Sequence, residues 1–354
     1  MPHSFGGRFE RMVRFESLLA AFRQARRGKR GRPDVAAFEL NLEPGLLRLQ
    51  RELVSGEWRP GPYRNFYVED QKRRLITAAP FRDRVVHHAL HAILEPVFET
   101  GFIHDSYACR RGKGQHRALA RYQRWARGSR FVLRGDIRKF YPSVDHGILR
   151  RQLDRRIRDR RVLALCELIL ASGAGILEPE YELAWFPGDD LFTPLARVRG
   201  LPIGNLTSQF FGNVYLNKLD HFVKEELRCR RYLRYMDDFA VFADNPSALH
   251  GVRRDIERFL WDLRLTLHEA RTRVWRTGDG AEFLGFRVWP GHRLVRKATA
   301  VRYARALRKL AAGSGAARNR RVRESLTAWL GHSRWGNSYR LNRQVLGRAG
   351  LLAG

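Results

Sequence analysis

The chain has 354 residues, of which 44% are hydrophobic, so it is long enough to bury a substantial core. Lysine and arginine outnumber aspartate and glutamate by 67 to 36, and this net charge of +31 predicts a polyanionic partner. No run of about 18 apolar residues occurs, so we expect no membrane partner, and the N-terminus lacks the apolar core of a secretory signal. The three cysteines show neither metal-binding nor disulfide spacing and indicate a reduced, cytoplasmic protein.

The N-terminal part of the chain predicts amphipathic helices followed by a strand. Apolar side chains recur at helical spacing over residues 8–31 and again over residues 46–53. Residues 23–32 form a strongly basic run, for which contact with nucleic-acid phosphates and a solvated helix face are equally good interpretations. Residues 63–68 then alternate between polar and apolar as a strand does.

A basic cluster marks the start of the next predicted strand. Lys72, Arg73 and Arg74 precede an apolar pair, an arrangement suited to binding a triphosphate. Residues 81–100 predict a helix with a buried stripe that carries three histidines. Because no acidic or thiol partner stands at ligand spacing, we expect these histidines to pack or to contact phosphates and not to bind a metal.

Residues 102–114 combine glycines with basic side chains. The glycines allow close approach of the backbone, while Arg110, Arg111 and Lys113 supply charge for a nucleic-acid backbone. The segment is not a phosphate-binding P-loop, because the Lys-Ser/Thr pair that should follow is missing. A helix is expected over residues 115–125, packed behind the sheet that follows.

A carboxylate stands at the end of the next predicted strand. The apolar run that begins at Phe131 ends at Asp136, and the aromatic pair Phe140 and Tyr141 follows it. Residues 147–173 then predict one helix with a basic face and an apolar end.

A pair of carboxylates, Asp237 and Asp238, follows a long amphipathic helix that is expected to continue through Leu227. This pair separates two short runs rich in aromatic and β-branched residues, which predicts a β-hairpin with the acids at its tip. Adjacent carboxylates repel each other unless a cation neutralises them, and hard oxygen ligands suit Mg²⁺ or Mn²⁺. An isolated Asp-Asp pair is more often a solvated turn. The third carboxylate, Asp136, favours a polymerase centre that holds two metal ions.

The C-terminal part of the chain is strongly basic. Beyond Pro290 the composition shifts to arginine and alanine and predicts two or three basic helices, which would clasp a nucleic-acid duplex by its phosphates. Leu326, Trp329 and Leu330 are expected to pack one of these helices. No ribonuclease H acid cluster follows residue 290.

Two of these motifs resemble those of reverse transcriptases. Tyr235-Met236-Asp237-Asp238 resembles the signature of that family, and the segment 134–141 resembles its first catalytic motif. The resemblance implies an α+β right-hand polymerase with an antiparallel palm sheet backed by helices, fingers and a helical thumb. It divides the chain into fingers (1–100), palm (101–290) and thumb (291–354).

The resemblance also implies a reaction, a cofactor and a catalytic centre. The enzyme would be an RNA-directed DNA polymerase that makes cDNA from dNTPs on a template RNA. Asp136, Asp237 and Asp238 would be catalytic and would hold two Mg²⁺ ions, with Mn²⁺ as a possible substitute. The backbone carbonyl of Ile137 would be a further metal ligand.

Further roles follow from the other motifs of the family. Tyr141, five residues beyond Asp136, would clash with a 2′-hydroxyl and so select deoxynucleotides. Arg73 is close enough to Arg74 to compete with it for the nucleotide. Arg271 stands where the family often has a lysine, and it would act by charge and not as an acid. The residues expected to bind the nucleotide are Lys72, Arg74, Tyr141, Ile203, Gly204 and Gln209. Those expected to contact primer and template are Arg110, Arg111, Lys113, Tyr235, Met236, Leu284 and Gly285, the last two in a hairpin that resembles the primer grip.

One segment narrows the resemblance to a subclass of reverse transcriptases. Most reverse transcriptases carry Gln-Gly-x-x-x-Ser-Pro, whereas residues 203–209 are Ile-Gly-Asn-Leu-Thr-Ser-Gln, which resembles the enzymes of diversity-generating retroelements. That subclass implies a bacterial or phage-encoded cytoplasmic enzyme that is error-prone at adenines and works with a small basic accessory protein. The alternatives are a retron, group II intron or phage-defence reverse transcriptase. A different class, a non-catalytic RNA-binding protein on a polymerase scaffold, is disfavoured because all three carboxylates are present.

Overall fold

The computed structural model describes residues 7–69, 73–312, 315–349 and 351. Helices dominate this part of the chain, and none of those described is long and apolar enough to cross a bilayer. The helices are α1 (Arg8–Met12), α2 (Phe15–Ala25), α3 (Pro33–Leu40), α4 (Leu42–Ser55), α5 (Phe81–Glu99), α6 (Gln115–Arg127), α7 (Phe140–Ser143), α8 (His146–Asp154), α9 (Arg160–Ser172), α10 (Thr193–Ala196), α11 (Leu206–His221), α12 (Pro246–Asp262), α13 (Lys297–Ala311), α14 (Ala316–Ser333) and α15 (Tyr339–Arg348).

The strands form three antiparallel sheets. The first is a hairpin, the second has the strand order β4-β5-β3-β6, and the third is a meander in chain order. The strands are β1 (Arg64–Glu69), β2 (Arg73–Ala78), β3 (Phe131–Asp136), β4 (Tyr232–Tyr235), β5 (Asp238–Ala243), β6 (Arg273–Arg276), β7 (Ala281–Phe283), β8 (Phe286–Val288) and β9 (Arg293–Val295).

The chain divides into two compact units, each built from three segments. The first unit comprises Met1–Cys109, Ile137–Arg228 and Asp255–Leu267, and the second comprises Arg110–Asp136, Cys229–Arg254 and His268–Gly354.

The core of the first unit is helical, with α5 packed against α2 and α11. The ring of Phe22 meets that of Phe81 edge-on at 5.9 Å, and the rings of Phe98 and Phe210 are perpendicular at 5.4 Å. His87 on α5 is only 2% exposed, and this burial lowers its pKa to about 3. A neutral, buried His87 therefore belongs to the apolar stripe of the helix.

The second unit packs α6 against the four-stranded sheet, as the sequence predicts. The buried ring of Tyr122 lies 4.8 Å from that of Phe242 in β5 and 4.7 Å from that of Phe283 in β7. One aromatic layer thus joins the sheet, α6 and the β7–β8 hairpin.

The helices α13, α14 and α15 pack together in the same unit, where Tyr303 stacks on Trp329 at 4.2 Å.

Three details of the fold differ from the sequence-based expectations. The single helix expected over 147–173 is two helices, because the side chain of Asp159 accepts the N–H groups of Arg161 and Val162 and so begins α9 afresh. The helix expected through Leu227 ends at His221 and continues as a π-helical turn. Trp329 packs as expected, but Leu330 is 44% exposed and does not.

Candidate active site

Of the three carboxylates predicted to be catalytic, two lie on neighbouring strands of the second unit and the third lies in the adjoining turn. In the antiparallel pairing of β3 with β5, Asp136 stands directly opposite Asp238. In the pairing of β4 with β5, Asp238 also stands opposite Tyr235, so that Met236 and Asp237 form the two-residue turn between these strands. We call Asp136, Asp237 and Asp238 the carboxylate centre.

The turn that carries Asp237 has a strained backbone. Met236 has a φ of 53°, in the left-handed region that favours glycine. Its carbonyl accepts a hydrogen bond of 3.0 Å from Nη1 of Arg234, a guanidinium that is fully buried in β4. Strain of this kind costs about 1–3 kcal/mol and persists only where the surroundings impose it. Arg234 is therefore a positioning residue that the sequence reasoning missed, since the motif gives no sign that this arginine is buried.

Two arginines of the second unit pair with the carboxylate centre. Nη1 of Arg271 lies 3.0 Å from Oδ2 of Asp136, and Nη2 of Arg134 lies 3.5 Å from Oδ1 of Asp238. The backbone of Asp136 is also held, because its N–H donates to Oγ1 of Thr272 at 3.3 Å and its carbonyl accepts the N–H of His268 at 2.8 Å. The end of β3 is thus fixed in place with its acid already neutralised by a guanidinium.

Gly135 is required by the packing of the same sheet. A Cβ atom at this position would lie only 2.0 Å from Cζ of Phe239, whose ring is fully buried. The missing side chain lets the ring cross β3 directly beside Asp136. A glycine within a predicted strand was the available signal for this close approach, but the sequence does not identify the ring that fills the space.

The donor chemistry of the carboxylate centre fits a hard divalent cation. Asp136 and Asp238 offer carboxylate oxygens from two adjacent strands, and such oxygens are the ligands that Mg²⁺ and Mn²⁺ prefer. Across the residues that the structure describes, no three acidic, histidine or cysteine side chains are already gathered around one point. A cation that bound here would compete with Arg271 and Arg134 for the carboxylates.

The segment expected to contact the primer is a tight hairpin in the second unit. Leu284 and Gly285 join β7 to β8, and both have positive φ values, 46° and 84°, as in a type I′ turn. The carbonyl of Leu284 accepts a 2.7 Å hydrogen bond from Nε2 of Gln115 at the start of α6. The turn is therefore anchored to α6, a contact that sequence reasoning did not anticipate.

The basic residues expected to contact the template lie at the start of the second unit, just before α6. Arg111 is exposed, while Arg110 and Lys113 are half-buried. The N–H of Lys113 donates to the carbonyl of Arg110 at 3.2 Å, which closes a turn, and Gly112 has a φ of 70°. The loop is thus compact, and its glycine serves the turn.

In the first unit, β2 carries both arginines that are expected to bind the nucleotide, and their surroundings differ. The guanidinium of Arg73 lies 3.9 Å from the ring centroid of Tyr67, in a cation–π contact. Arg74 is exposed, and within the described part of the chain its side chain has no hydrogen-bond or ion-pair partner. Arg74 is therefore the more available of the two, and Lys72 lies outside the described residues.

The segment that carries Ile203 is attached to β2 by buried hydrogen bonds. The carbonyl of Ile203 accepts the N–H of Thr77 at 2.7 Å. The side chain of Asn205 accepts the N–H of Ala79 at 3.2 Å and donates to the carbonyl of Thr77 at 2.9 Å. Gly204, at a φ of 116°, lets the two chains approach, since a Cβ there would lie 3.1 Å from the side chain of Ile76. Sequence reasoning missed Asn205, which holds this junction together.

Two further residues of the expected nucleotide site adjoin this junction in the first unit. The carbonyl of Tyr141 accepts the N–H of Leu201 at 2.9 Å, so the loop before α11 is held by Tyr141 as well as by β2. Gln209 lies one turn into α11, where Oε1 accepts a hydrogen bond from Sγ of Cys109 at 3.3 Å. Ile137 follows Asp136 in the chain but belongs to the first unit, where it forms a bridge with Leu267.

A family model and several known proteins are similar in sequence to this chain. Residues 68–288 match the family model described as reverse transcriptase (RNA-dependent DNA polymerase). Protein YkfC of Escherichia coli (strain K12) is 26% identical over 290 residues, which cover 70% of this chain and 71% of that protein. The Group II intron-encoded protein LtrA of Lactococcus lactis subsp. cremoris is 28% identical over 185 residues, which cover 51% of this chain but only 28% of LtrA.

Among solved structures, the chain is similar to telomerase from Candida albicans, determined with the TWJ fragment of telomeric RNA. The TM-score is 0.47 at 11% sequence identity, and the match covers 72% of this chain and 51% of that one. The chain thus spans about half of this structural neighbour and less than a third of LtrA.

Proposed function

The chain belongs to the reverse transcriptase (RNA-dependent DNA polymerase) family, and we propose that Asp136, Asp237 and Asp238 are its catalytic residues for copying a template RNA into cDNA. Its enzyme class is therefore RNA-directed DNA polymerase, on the α+β right-hand polymerase fold of that family. The observation that carries the proposal is the register that sets Asp136 opposite Asp238, with Asp237 in the adjoining turn. We retain fingers, palm and thumb at 1–100, 101–290 and 291–354 as the proposed domain division.

Reverse transcriptase domains use divalent metal ions, and we propose two Mg²⁺ ions here, with Mn²⁺ able to substitute. When bound, such ions would activate the primer 3′-oxygen and stabilise the leaving pyrophosphate. Asp136, Asp237, Asp238 and the carbonyl of Ile137 would hold them. Arg271 would then be released from Asp136 and would be available to balance the charge of the pyrophosphate as a permanent cation, since arginine hardly gives up its proton.

We propose that the first unit supplies the contacts to the incoming dNTP. The exposed Arg74 would bind the triphosphate, helped by Lys72, while Arg73 is held by Tyr67. Tyr141 would screen the sugar against a 2′-hydroxyl. The remaining members of the proposed nucleotide site are Ile203, Gly204 and Gln209.

We propose that the second unit supplies the contacts to the nucleic-acid strands. The charges of Arg110, Arg111 and Lys113 would bind template phosphates, and the backbone of the Leu284–Gly285 turn would approach the primer. Tyr235 and Met236 would contact the primer end, because they immediately precede the proposed catalytic pair.

As a finer proposal, the enzyme is error-prone and belongs to a diversity-generating retroelement, with a small basic accessory protein and a cytoplasmic location. What supports it is the 203–209 segment, in which Ile203 replaces the usual glutamine of the family. The backbone of Ile203 is fixed by Thr77, so replacing its side chain changes chemistry at a constrained position. A group II intron reverse transcriptase is the second candidate, supported by the similarity to LtrA.

The catalytic proposal is tested by primer extension on an RNA template with the Asp237→Asn variant. Losing one carboxylate of a two-metal centre should lower the rate by several orders of magnitude, because it removes several kcal/mol of transition-state stabilisation. RNA affinity should be unchanged. Asp279→Asn, an exposed acid of the same unit, is the matched control and should extend the primer normally. Equal activity of both variants would move catalysis away from Asp237, and an inactive wild type that binds RNA would favour the non-catalytic alternative.

The subclass is tested by sequencing cDNA that wild type and Ile203→Gln make on one RNA template containing all four bases. A restored amide could form one hydrogen bond near the nascent pair, worth about 0.5–1.5 kcal/mol, or up to about tenfold in discrimination. We expect frequent wild-type errors at adenines and fewer errors in Ile203→Gln, while Ile203→Leu keeps the wild-type spectrum. A uniformly low wild-type error rate would favour the group II intron candidate.

A further inference from the structure

The helices α8 and α11 of the first unit bring together basic side chains that the proposed reaction does not use. Nε2 of Gln152 on α8 donates to the carbonyl of Tyr215 on α11 at 3.3 Å, so the two helices are in contact at this point. Arg151 and Arg155 stand four residues apart at the C-terminal end of α8, and Lys218 is in the last turn of α11. All three are exposed, and we call them the basic corner.

The charges of the basic corner are crowded. Burial lowers the pKa of Lys218, and the positive charges of Arg155 and Arg151 lower it further, whereas Asp262 acts in the opposite direction. Arg151 and Arg155 are like charges at the spacing that brings helix side chains together, which is destabilising. The chain therefore keeps three cations close together against their mutual repulsion.

Neighbouring arginines of α8 and α9 do form ion pairs. Nε of Arg150 lies 2.7 Å from Glu167, Nη1 of Arg160 lies 3.6 Å from Asp154, and Nη1 of Arg161 lies 3.2 Å from Glu10. By contrast, within the described part of the chain neither Arg151 nor Arg155 has a carboxylate within salt-bridge distance. The members of the corner thus remain available to an external anion.

The surroundings of the corner indicate which kind of anion would fit. No large hydrophobic side chain of α8 or α11, both of which are fully described, is exposed beside these cations. The surface that α8 and α11 contribute offers charge without exposed large apolar side chains, which suits a phosphate backbone better than bases or a protein partner. Side chains four apart on a helix are about 5–6 Å apart, a separation that one or two phosphates of a strand can match.

We propose that the basic corner of Arg151, Arg155 and Lys218 is a docking site for the phosphate backbone of a structured RNA. The inference rests on the proposed RNA-templated synthesis and adds a contact to the RNA outside the residues assigned to the reaction. The corner binds the folded part of a long RNA without reading its sequence, because guanidinium and ammonium groups contact phosphates and no base edge. A long structured RNA then binds more tightly than a short primer–template.

The test compares the Arg151→Gln/Arg155→Gln/Lys218→Gln variant with wild type on two RNAs. On a long structured RNA, losing three phosphate contacts should make the slope of log affinity against log salt shallower by about two to three. If affinity at 1 M salt is unchanged, this slope corresponds to an affinity loss of about 100-fold or more at 0.1 M salt. On a short primer–template, kcat and KM should be unchanged. The thermal midpoint should change little, because the relief of like-charge repulsion offsets the lost interaction of Arg151 and Lys218 with the helix C-termini.

The matched control removes three other exposed arginines of the first unit, in Arg14→Gln/Arg48→Gln/Arg51→Gln. An equal loss in the control would mean that net charge alone governs binding, and an unchanged slope in the corner variant would place the RNA elsewhere. A raised KM on the short primer–template would make the corner part of the polymerisation track. Displacement of the RNA by an acidic peptide at equal affinity would indicate a protein site instead. Primer extension by the wild type tests the proposed function separately, whichever of these outcomes is found.

Discussion

Replacing Gly135 by alanine should destabilise the sheet that carries Asp136 and Asp238. The added Cβ would lie 2.0 Å from Cζ of Phe239 and 2.4 and 2.5 Å from the two Cε atoms of the same ring. The ring has little room to turn away, because Phe239 is fully buried between β3 and β4. The sheet must therefore open, or the ring must leave its position.

The size of the effect follows from these contacts. Extra carbon atoms in a packed core cost about 1–3 kcal/mol, and three contacts below 3.0 Å place Gly135→Ala at the upper end of that range. The atoms in the way are Cζ and both Cε atoms of the ring, which a leucine lacks. Phe239→Leu should therefore recover part of the loss, with a coupling free energy of about 0.5–3 kcal/mol between the two substitutions.

Urea unfolding of the two single variants and the double variant measures this cycle. Gly278→Ala is the matched control, because a Cβ at that exposed glycine meets no atom within 4 Å. The control should stay within about 0.5 kcal/mol of wild type. If Gly135→Ala were as stable as Gly278→Ala, or if its loss were additive with that of Phe239→Leu, the close-approach explanation for the glycine would be wrong.

Two other features of the structure lead to measurable expectations. Arg271→Gln removes the guanidinium that lies 3.0 Å from Asp136 and competes with a cation there. In a Mg²⁺ titration of the primer-extension rate, the Mg²⁺ concentration for half-maximal rate should therefore fall, together with the maximal rate. A rise in that Mg²⁺ concentration would mean instead that Arg271 helps to recruit the metal. His87 has a pKa of about 3 when folded and near 6.5 when unfolded, so the unfolded chain binds the extra proton between these values. The free energy of unfolding should therefore fall by up to about 1.4 kcal/mol per pH unit below pH 6.5, and His87→Leu should reduce this slope in urea titrations at several pH values.

The fold class and the enzyme class could both be predicted from the sequence, and the family match confirms them. The reason is that the decisive signals are local. Two short runs rich in aromatic and β-branched residues, one on each side of Asp237 and Asp238, specify two strands and a short turn, and the turn fixes the register. The roles assigned to individual site residues stay predictions, and so does the retroelement subclass.

What the sequence could not supply is the set of contacts between distant segments. Nothing in the order of residues indicates that the side chain of Asn205 would hydrogen-bond to the carbonyl of Thr77 and the N–H of Ala79. The same is true of the hydrogen bond from Gln115 to the turn at Leu284. The burial of Arg234 is equally hidden, because an arginine in a basic chain is expected on the surface. Each of these polar groups is specified by tertiary packing, which local propensity does not encode.

Tertiary packing also explains how Asp136 and Asp238 can stand opposite each other on the sheet without a cation. Burying an acid costs several kcal/mol unless it is paired, and Asp136 is only 6% exposed. Arg134 on β3 and Arg271 just before β6 give Asp238 and Asp136 one guanidinium each, so the four-stranded sheet supplies acids and counter-ions together. A metal ion bound at the proposed site would exchange for a guanidinium on Asp136 or Asp238, whose backbone positions the sheet already sets, so folding and not metal binding would meet the free energy of ordering these strands.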